Sequence, residues 1–558
     1  MQRRTQNIRA NLVDIDHRRI YAASVHWEDG HIVAIAVLGA PDPALDYLLP
    51  GFVDAHVHVE STMLTPAEFG RIASRHGTVA AVTDPHEIAN VLGADGVRYM
   101  AEDARRSPIP IHFGAPACVP ATRYETSGAE LSAEAIETLL HEGSAGHLAE
   151  VMDFPGVLAR EPGLMAKIEV ARRWGRTIDG HAPGLTGAAA RDYADAGIHN
   201  DHECATREEA EAKLAAGMHL VIREGSAAKN FDALHPLIDR FPGQIMFCTD
   251  DLHPDDLVTG HIDRIAARAI QAGHDRFDVL RAACSNPVAH YRMDVGQLRV
   301  GDRMDAITVT DPDQLNVVTT WVAGTRVAQQ GRSLTAHRPA TPSNRFNAAP
   351  ISARTLTEAL PTGDPDDASR QLRVIECRDG ALDTRECHLP PSWQGDHPVP
   401  DPDRDLLLLT VVNRYHPAPP AVAFIRGFGL TDGAIAGSIA HDSHNVIAVG
   451  SHIQWVSEAV NEVIDMQGGI AAVGGAGRDR LPLPVAGLMS TADGDTMAAR
   501  HHAMVSLAHA MGSPLSAPFM TLSFMALLVI PALKLSDQGL FDGERFEFLS
   551  LLTPPLSS

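Results

Sequence analysis

From residue 50 to about 297, short apolar runs alternate with Ala-rich amphipathic stretches. The runs at 79–83, 109–113, 146–151, 177–181, 197–202, 219–222 and 245–249 are too short for helices and read as buried strands. Segments 65–75, 133–141, 163–173, 207–216 and 261–272 carry helical spacing between them. Counting the run that ends near residue 57, the strands number eight. Repeated βα units of that number predict an α/β fold built on a closed parallel (β/α)8 TIM-like barrel, with an open doubly wound sheet as the alternative. Upstream, 8–15, 20–26 and 32–38 are strand-like and separated by turns such as Glu28-Asp29-Gly30, which makes a small β-unit. Downstream, 295–332 returns to short strands, and 346–371 is polar and rich in Pro and Gly, as a linker is. A third, α+β unit spans 372–558, with strands at 406–413 and 422–425 and helices at 455–465 and 496–511.

Composition narrows the class. A chain of 558 residues exceeds a single core, and 45% hydrophobic with 21% charged residues is ordinary for a folded globular protein. A formal net charge of −24 argues against nucleic acid as a partner, because backbone binding needs a basic surface. The six cysteines are scattered without a C-x-x-C, so they read as the reduced thiols of an intracellular protein. The basic N-terminus has no following apolar run of the signal-peptide kind. The apolar stretch 524–535 is short and contains Pro531, hence a core element and not a membrane span. A cytoplasmic protein without a membrane partner is expected.

The stretch LLPGFVDAHVHVE (48–60) ends an apolar run on two histidines one residue apart. A strand alternates its side chains, so His56 and His58 project to one side where the strand gives way to loop, placed to grip one metal ion. Asp54 shares that face and is positioned to support a ligand. The other strand ends carry Asp84 and His86, Glu150, His181, His202 and Asp250, each a metal ligand or proton carrier. Each has a plain alternative. Asp84 would serve as a helix N-cap, Glu150 as a surface acid, His181 as part of a Gly-rich turn, His202 as part of a hydrated acidic loop, and Asp250 as a cap. Their recurrence at strand ends favours one shared site. In HDSHN, His441 and His444 offer a secondary metal site, a lid over the barrel mouth, or a polar turn; a domain closing near the site is preferred.

Longer motifs carry a resemblance. H-x-H after the first strand, a histidine after the fifth and sixth, and an aspartate after the eighth resemble the amidohydrolase superfamily. VDAHVHVESTMLTP, TDPHEIANVLG, EVMDFPGV, DGHAPGL, DHECAT, IREGSAAKN, CTDDLHPDDL, GFGLTDGAIAGSIAHDSHNVIAVG and LPLPVAGLMS resemble its adenine deaminase family, over essentially the whole chain. The resemblance implies that residues 1–46 and 298–345 form one discontinuous β-sandwich beside a barrel of 47–297. It implies that His56, His58 and Asp250 hold one metal, that His181 and His202 hold another, and that Glu150 bridges them in place of the carboxylated lysine of many superfamily members. The expected reaction is hydrolytic deamination of adenine to hypoxanthine and ammonia, by a hydroxide shared between two divalent ions, with Asp250 carrying the proton. Asp84, His86 and Glu60 are candidates for protonating the ring, and Arg223, Glu224 and Ser226 for its edge. A ligand set of imidazoles and carboxylates suits Mn2+ or Fe2+, and Zn2+ also fits. The partners expected are adenine and a second copy of the chain, a homodimer. A cyclic-amide hydrolase and a non-catalytic scaffold on the same barrel are the alternatives.

Overall fold

The computed structural model describes residues 5–367 and 369–553. Eight parallel strands form the barrel: Phe52–Val57, Thr78–Thr83, Ile111–Ala115, His147–Val151 and Ile178–Gly180, then Asn200–Asp201, His219–Arg223 and Ile245–Cys248. Two seams join these groups. The amide of His199 donates to Ile178 O at 2.9 Å between the fifth and sixth strands. Between the eighth and first, Asp250 N donates to His56 O at 3.0 Å and His58 N to Asp250 O at 3.1 Å. The sheet therefore closes, which rules out the open doubly wound alternative. The fifth and sixth strands are shorter than their apolar runs suggest, because the polar residues at 181 and 202 leave the ladder for loops. Amphipathic helices such as Pro66–Ala73, Ala133–Glu142, Pro162–Arg173 and Ile262–Gln271 wrap the outside.

A second sheet draws on both flanks of the barrel. Thr5–Asp14, Arg19–Glu28 and His31–Gly39 join Ala306–Val309, Val317–Val322, Thr325–Gln329 and Arg332–Ser333 in one eight-stranded sheet. Its keystone is Tyr47–Pro50, parallel to the first of these strands and antiparallel to Ala306–Val309. The apolar run at 48–53 is thus divided at Pro50-Gly51 between two sheets. Ile32 N donates to Asp302 O at 2.8 Å, so the far edge folds back over a core that includes Trp27, Leu48 and Trp321.

The third unit is built on another eight-stranded sheet, with Leu407–Val412 and Val446–Gly450 at its centre and the helix Ile453–Asp465 on one face. One apolar core runs from Val53 and Val79 in the barrel to Leu409, Val449 and Phe524 in this unit, so the two pack as a continuous body. Polar ties cross the same boundary. Gly494 N donates to Glu68 Oε1 at 2.6 Å, and His501 Nδ1 lies 2.9 Å from Asp255 Oδ1. Among the described residues no helix is long and apolar enough to cross a membrane.

Candidate metal centre at the barrel mouth

Six side chains from five strand ends converge in a buried cluster: His56, His58, Glu150, His181, His202 and Asp250. Asp250 Oδ1 lies 3.4 Å from His56 Nε2 and 3.2 Å from His58 Nε2. Glu150 stands across from it with its two oxygens divided. Oε1 is 3.5 Å from His58 Nε2, whereas Oε2 is 2.9 Å from His181 Nδ1, 3.1 Å from His202 Nε2 and 4.0 Å from His56 Nε2. One carboxylate thus faces two histidine sets at once.

Local structure explains how each group arrives. His56 and His58 lie two residues apart, so they share the inward face, and a 3-10 turn at Val59–Thr62 ends the strand just beyond them. Asp250 follows the eighth strand in a left-handed conformation, φ 54°, which aspartate tolerates better than most residues. Asp201 binds the loops of the other two histidines, accepting from Ala182 N at 2.9 Å and Glu203 N at 2.7 Å, with Lys213 Nζ at 3.1 Å. Asp54, on the face of His56, supports the strand backbone and not the rings of His56 and His58. It accepts from His56 N at 3.3 Å, from Thr249 N at 3.1 Å and from Thr249 Oγ1 at 2.5 Å.

The donor chemistry fits a divalent cation. His58 Nδ1 lies 3.1 Å from the carbonyl oxygen of Asp84, an acceptor, which fixes the proton on Nδ1 and leaves a lone pair on Nε2. That lone pair faces His56 Nε2 at 3.2 Å and two carboxylate oxygens. A metal ion among these groups would take up the lone pairs that neutral imidazoles and carboxylates turn toward one another. The electrostatics agree: burial opposes charge on His181, but Glu203 and Glu150 outweigh it and lift the imidazole to about 9. Burial likewise works against the charged forms of Glu150 and Asp250. The histidines around Glu150, and Arg223 and the histidines around Asp250, nonetheless hold both carboxyls well below the usual range.

Of the candidate proton carriers, His86 is at the cluster and Glu60 is not. His86 Nδ1 lies 3.2 Å from Asp84 Oδ2 and 3.5 Å from Glu150 Oε1, and its Nε2 is 3.4 Å from Asp442 Oδ1. Burial resists protonation of this ring, yet Asp84 and Asp442 raise it well above an ordinary imidazole. Glu60 accepts from Ile88 N at 3.2 Å, behind the cavity wall, and burial with the neighbouring Glu87 lifts its carboxyl to about 8.

The edge candidates also divide. Arg223 lines the cavity, but its guanidinium is committed to Glu203 and to Asp250 Oδ2 at 2.6 Å, with Nε donating to Ala228 O at 2.7 Å. Beyond it the chain turns outward. Glu224 accepts from Phe231 N at 3.2 Å and pairs with Arg268 at 2.7 Å, while Ser226 Oγ accepts from His253 N at 2.8 Å. His441 and His444 part in the same way. His441 lines the cavity and stacks on Phe524 with ring centroids 5.0 Å apart, whereas His444 is buried in the third unit against Arg414.

Two acids in the cavity were not singled out from the sequence. Glu203 Oε1 lies 3.7 Å from His181 Nδ1 and 3.5 Å from His202 Nε2, and Asp442 pairs with His86. Adjacency to His202 and His441 was the available signal, and in a chain with 70 acidic residues it is weak. The roof is apolar: Leu382, Phe524 and Leu527 of the third unit, with Met152 of the barrel, cover the cluster. The room left beneath it is about 30 Å3, roughly one water's share of the liquid.

Residues 47–327 match the family model described as the amidohydrolase family, and 382–547 match that of the adenine deaminase C-terminal domain. A curated protein of Salinibacter ruber named adenine deaminase is 52% identical over 547 residues, 97% of this chain and 98% of that one. One of Methanosarcina mazei is 45% identical over 97% of this chain and 98% of its own length, and one of Borreliella burgdorferi 40% over 97% and 99%, both with the same name.

Proposed function

The chain belongs to the adenine deaminase family of the amidohydrolases, and from that premise we propose that it hydrolyses adenine to hypoxanthine and ammonia at the barrel mouth. His56, His58 and Asp250 would hold one divalent ion, His181 and His202 a second, and Glu150 both. The split of Glu150, one oxygen toward His58 and the other toward His181 and His202, is the observation that carries this reading. When bound, such a pair supplies Lewis acidity that makes water nucleophilic near neutral pH. We favour Mn2+ or Fe2+, since no cysteine lines the cavity.

The remaining work falls to side chains. Asp250 accepts the proton of the attacking water and returns it to the departing amine. Arg223, fixed on Asp250 Oδ2, keeps that carboxylate ionised and oriented between turnovers. His86, held between Asp84, Glu150 and Asp442, is the donor best placed to protonate the purine ring as C6 loses its aromatic bonding. Asp84 holds that residue at two points, with Oδ2 beside ring Nδ1 and Oδ1 accepting from the His86 backbone amide at 2.9 Å. Against this arrangement Glu60 acts on the backbone of the wall and not on substrate.

The experiment is to load the protein with Mn2+, supply adenine, adenosine, guanine and cytosine in turn, and follow ammonia together with metal content. Release from adenine at two metals per chain is the expected result. Metal-free protein that stays inert after Mn2+ is added, or ring opening of cyclic amides in place of ammonia release from adenine, would defeat the proposal.

A further inference from the structure

Lys534 is fully buried on the strand Leu533–Ser536, where a charged side chain is costly. Neither of its partners is a carboxylate. Nζ donates to Leu382 O at 2.6 Å and to Phe524 O at 2.9 Å. Those two residues come from segments far apart in the chain, and both place side chains in the roof over the metal cluster. Burial pushes the ammonium down to about 7, so the group is held there against its own preference for water.

The surrounding bonds belong to the same junction. Thr384 N donates to Pro531 O at 3.0 Å and Thr384 Oγ1 to Leu533 O at 2.8 Å; Leu535 N donates to Met525 O at 2.9 Å. His441 N donates to Ser523 O at 3.1 Å, and its ring stacks on Phe524. An apolar side chain at 534 would fill the space but leave Leu382 O without its donor, and Phe524 O with Leu527 N alone, at 3.2 Å. What a lysine adds is one nitrogen that fixes the backbone of both roof residues at once.

We infer that Lys534 is a positioning residue for the purine: by holding the main chain of Leu382 and Phe524 together, it sets the apolar surface that covers the base opposite the metal ligands. The inference rests on the adenine reading above. Once the cavity has opened from its 30 Å3 to admit adenine, Leu382 and Phe524 would cover the base by shape and ring stacking, in ground state and transition state alike. Loosening them therefore weakens binding without altering the chemical step.

The test is Lys534→Met, nearly the same shape without a donor, in the full-length Mn2+-loaded protein. KM for adenine should rise about tenfold with kcat within about twofold, at unchanged metal content. Phe524→Ala should raise KM as well, and the double variant should raise it no further than Phe524→Ala alone, because Lys534 acts through that residue. An unchanged KM, a loss confined to kcat, or effects of the two substitutions that multiply would overturn the inference. Should K534M fail to fold, Lys534→Gln, which keeps two N–H donors on a shorter arm, must show the same split in milder form or the inference fails. Wild-type protein inert on adenine would instead remove the function on which it rests, whereas an active wild type with an indifferent K534M removes only the role of Lys534.

Discussion

Asp250 stands in a left-handed backbone conformation at the end of the last barrel strand, bonded through its own N–H and C=O to the strand that carries His56 and His58. Its carboxylate meets those histidines on one oxygen and Arg223 on the other. Replacing it with asparagine keeps the shape and removes the base. Asp250→Asn should therefore lower kcat by about 10²-fold or more with a normal thermal transition; near-normal turnover in a steady-state assay would reject its role. Glu150→Gln removes the charge that two histidine sets share, and metal analysis should find fewer than two ions per chain. Both residues were legible as acids after apolar runs. Glu203 was not, since its significance comes only from the fold that swings it beside His181 and pairs it with Arg223.

Between elements, the decisive join is the seam of the first and eighth strands. Asp54 sits in it, fully buried, taking hydrogen bonds from Thr249 and lying 3.0 Å from His261 Nε2. Asp54→Ala should cost about 1.5–3 kcal/mol in urea unfolding and weaken metal affinity, because the strand that presents His56 and His58 loses its fastening. An unchanged midpoint would show that the seam needs no such tie. Strand positions were readable from period and apolarity, since buried parallel strands are nearly continuous in hydrophobic residues. The division of 48–53 between two sheets was not, because hydrophobicity alone does not say which neighbours a strand will take.

Over the whole molecule, polar groups gather at the starts of the barrel strands, where branched aliphatics are usual. Tyr291 OH meets Asp179 at 3.0 Å, Asn200 Nδ2 donates to Asp179 Oδ1 at 2.7 Å, and His290 Nε2 is 3.0 Å from Asn200. Burial, reinforced by neighbouring histidines, holds His112 and His290 at about 3. An unfolded imidazole titrates near about 6.5, so between there and about pH 3 the unfolded chain binds more protons. Stability is then complete above the unfolded value and falls as the medium is acidified, by up to roughly 1.4 kcal/mol per pH unit for each ring. His290→Leu should flatten the fall of the unfolding midpoint between about pH 6 and pH 4 relative to wild type; equal slopes would show that this ring does not stay neutral in the folded state.

The sequence by itself determined the repeat of strand and helix, the family, and which acids and histidines stand at the strand ends, because periodicity and long motifs are local properties of the chain. Tertiary structure decided the rest: which oxygen of Glu150 faces which histidines, that His441 lines the cavity while His444 is buried in the third unit, and that Lys534 reaches two roof segments. Those are contacts between residues tens to hundreds of positions apart, and no local pattern encodes a distance across the fold.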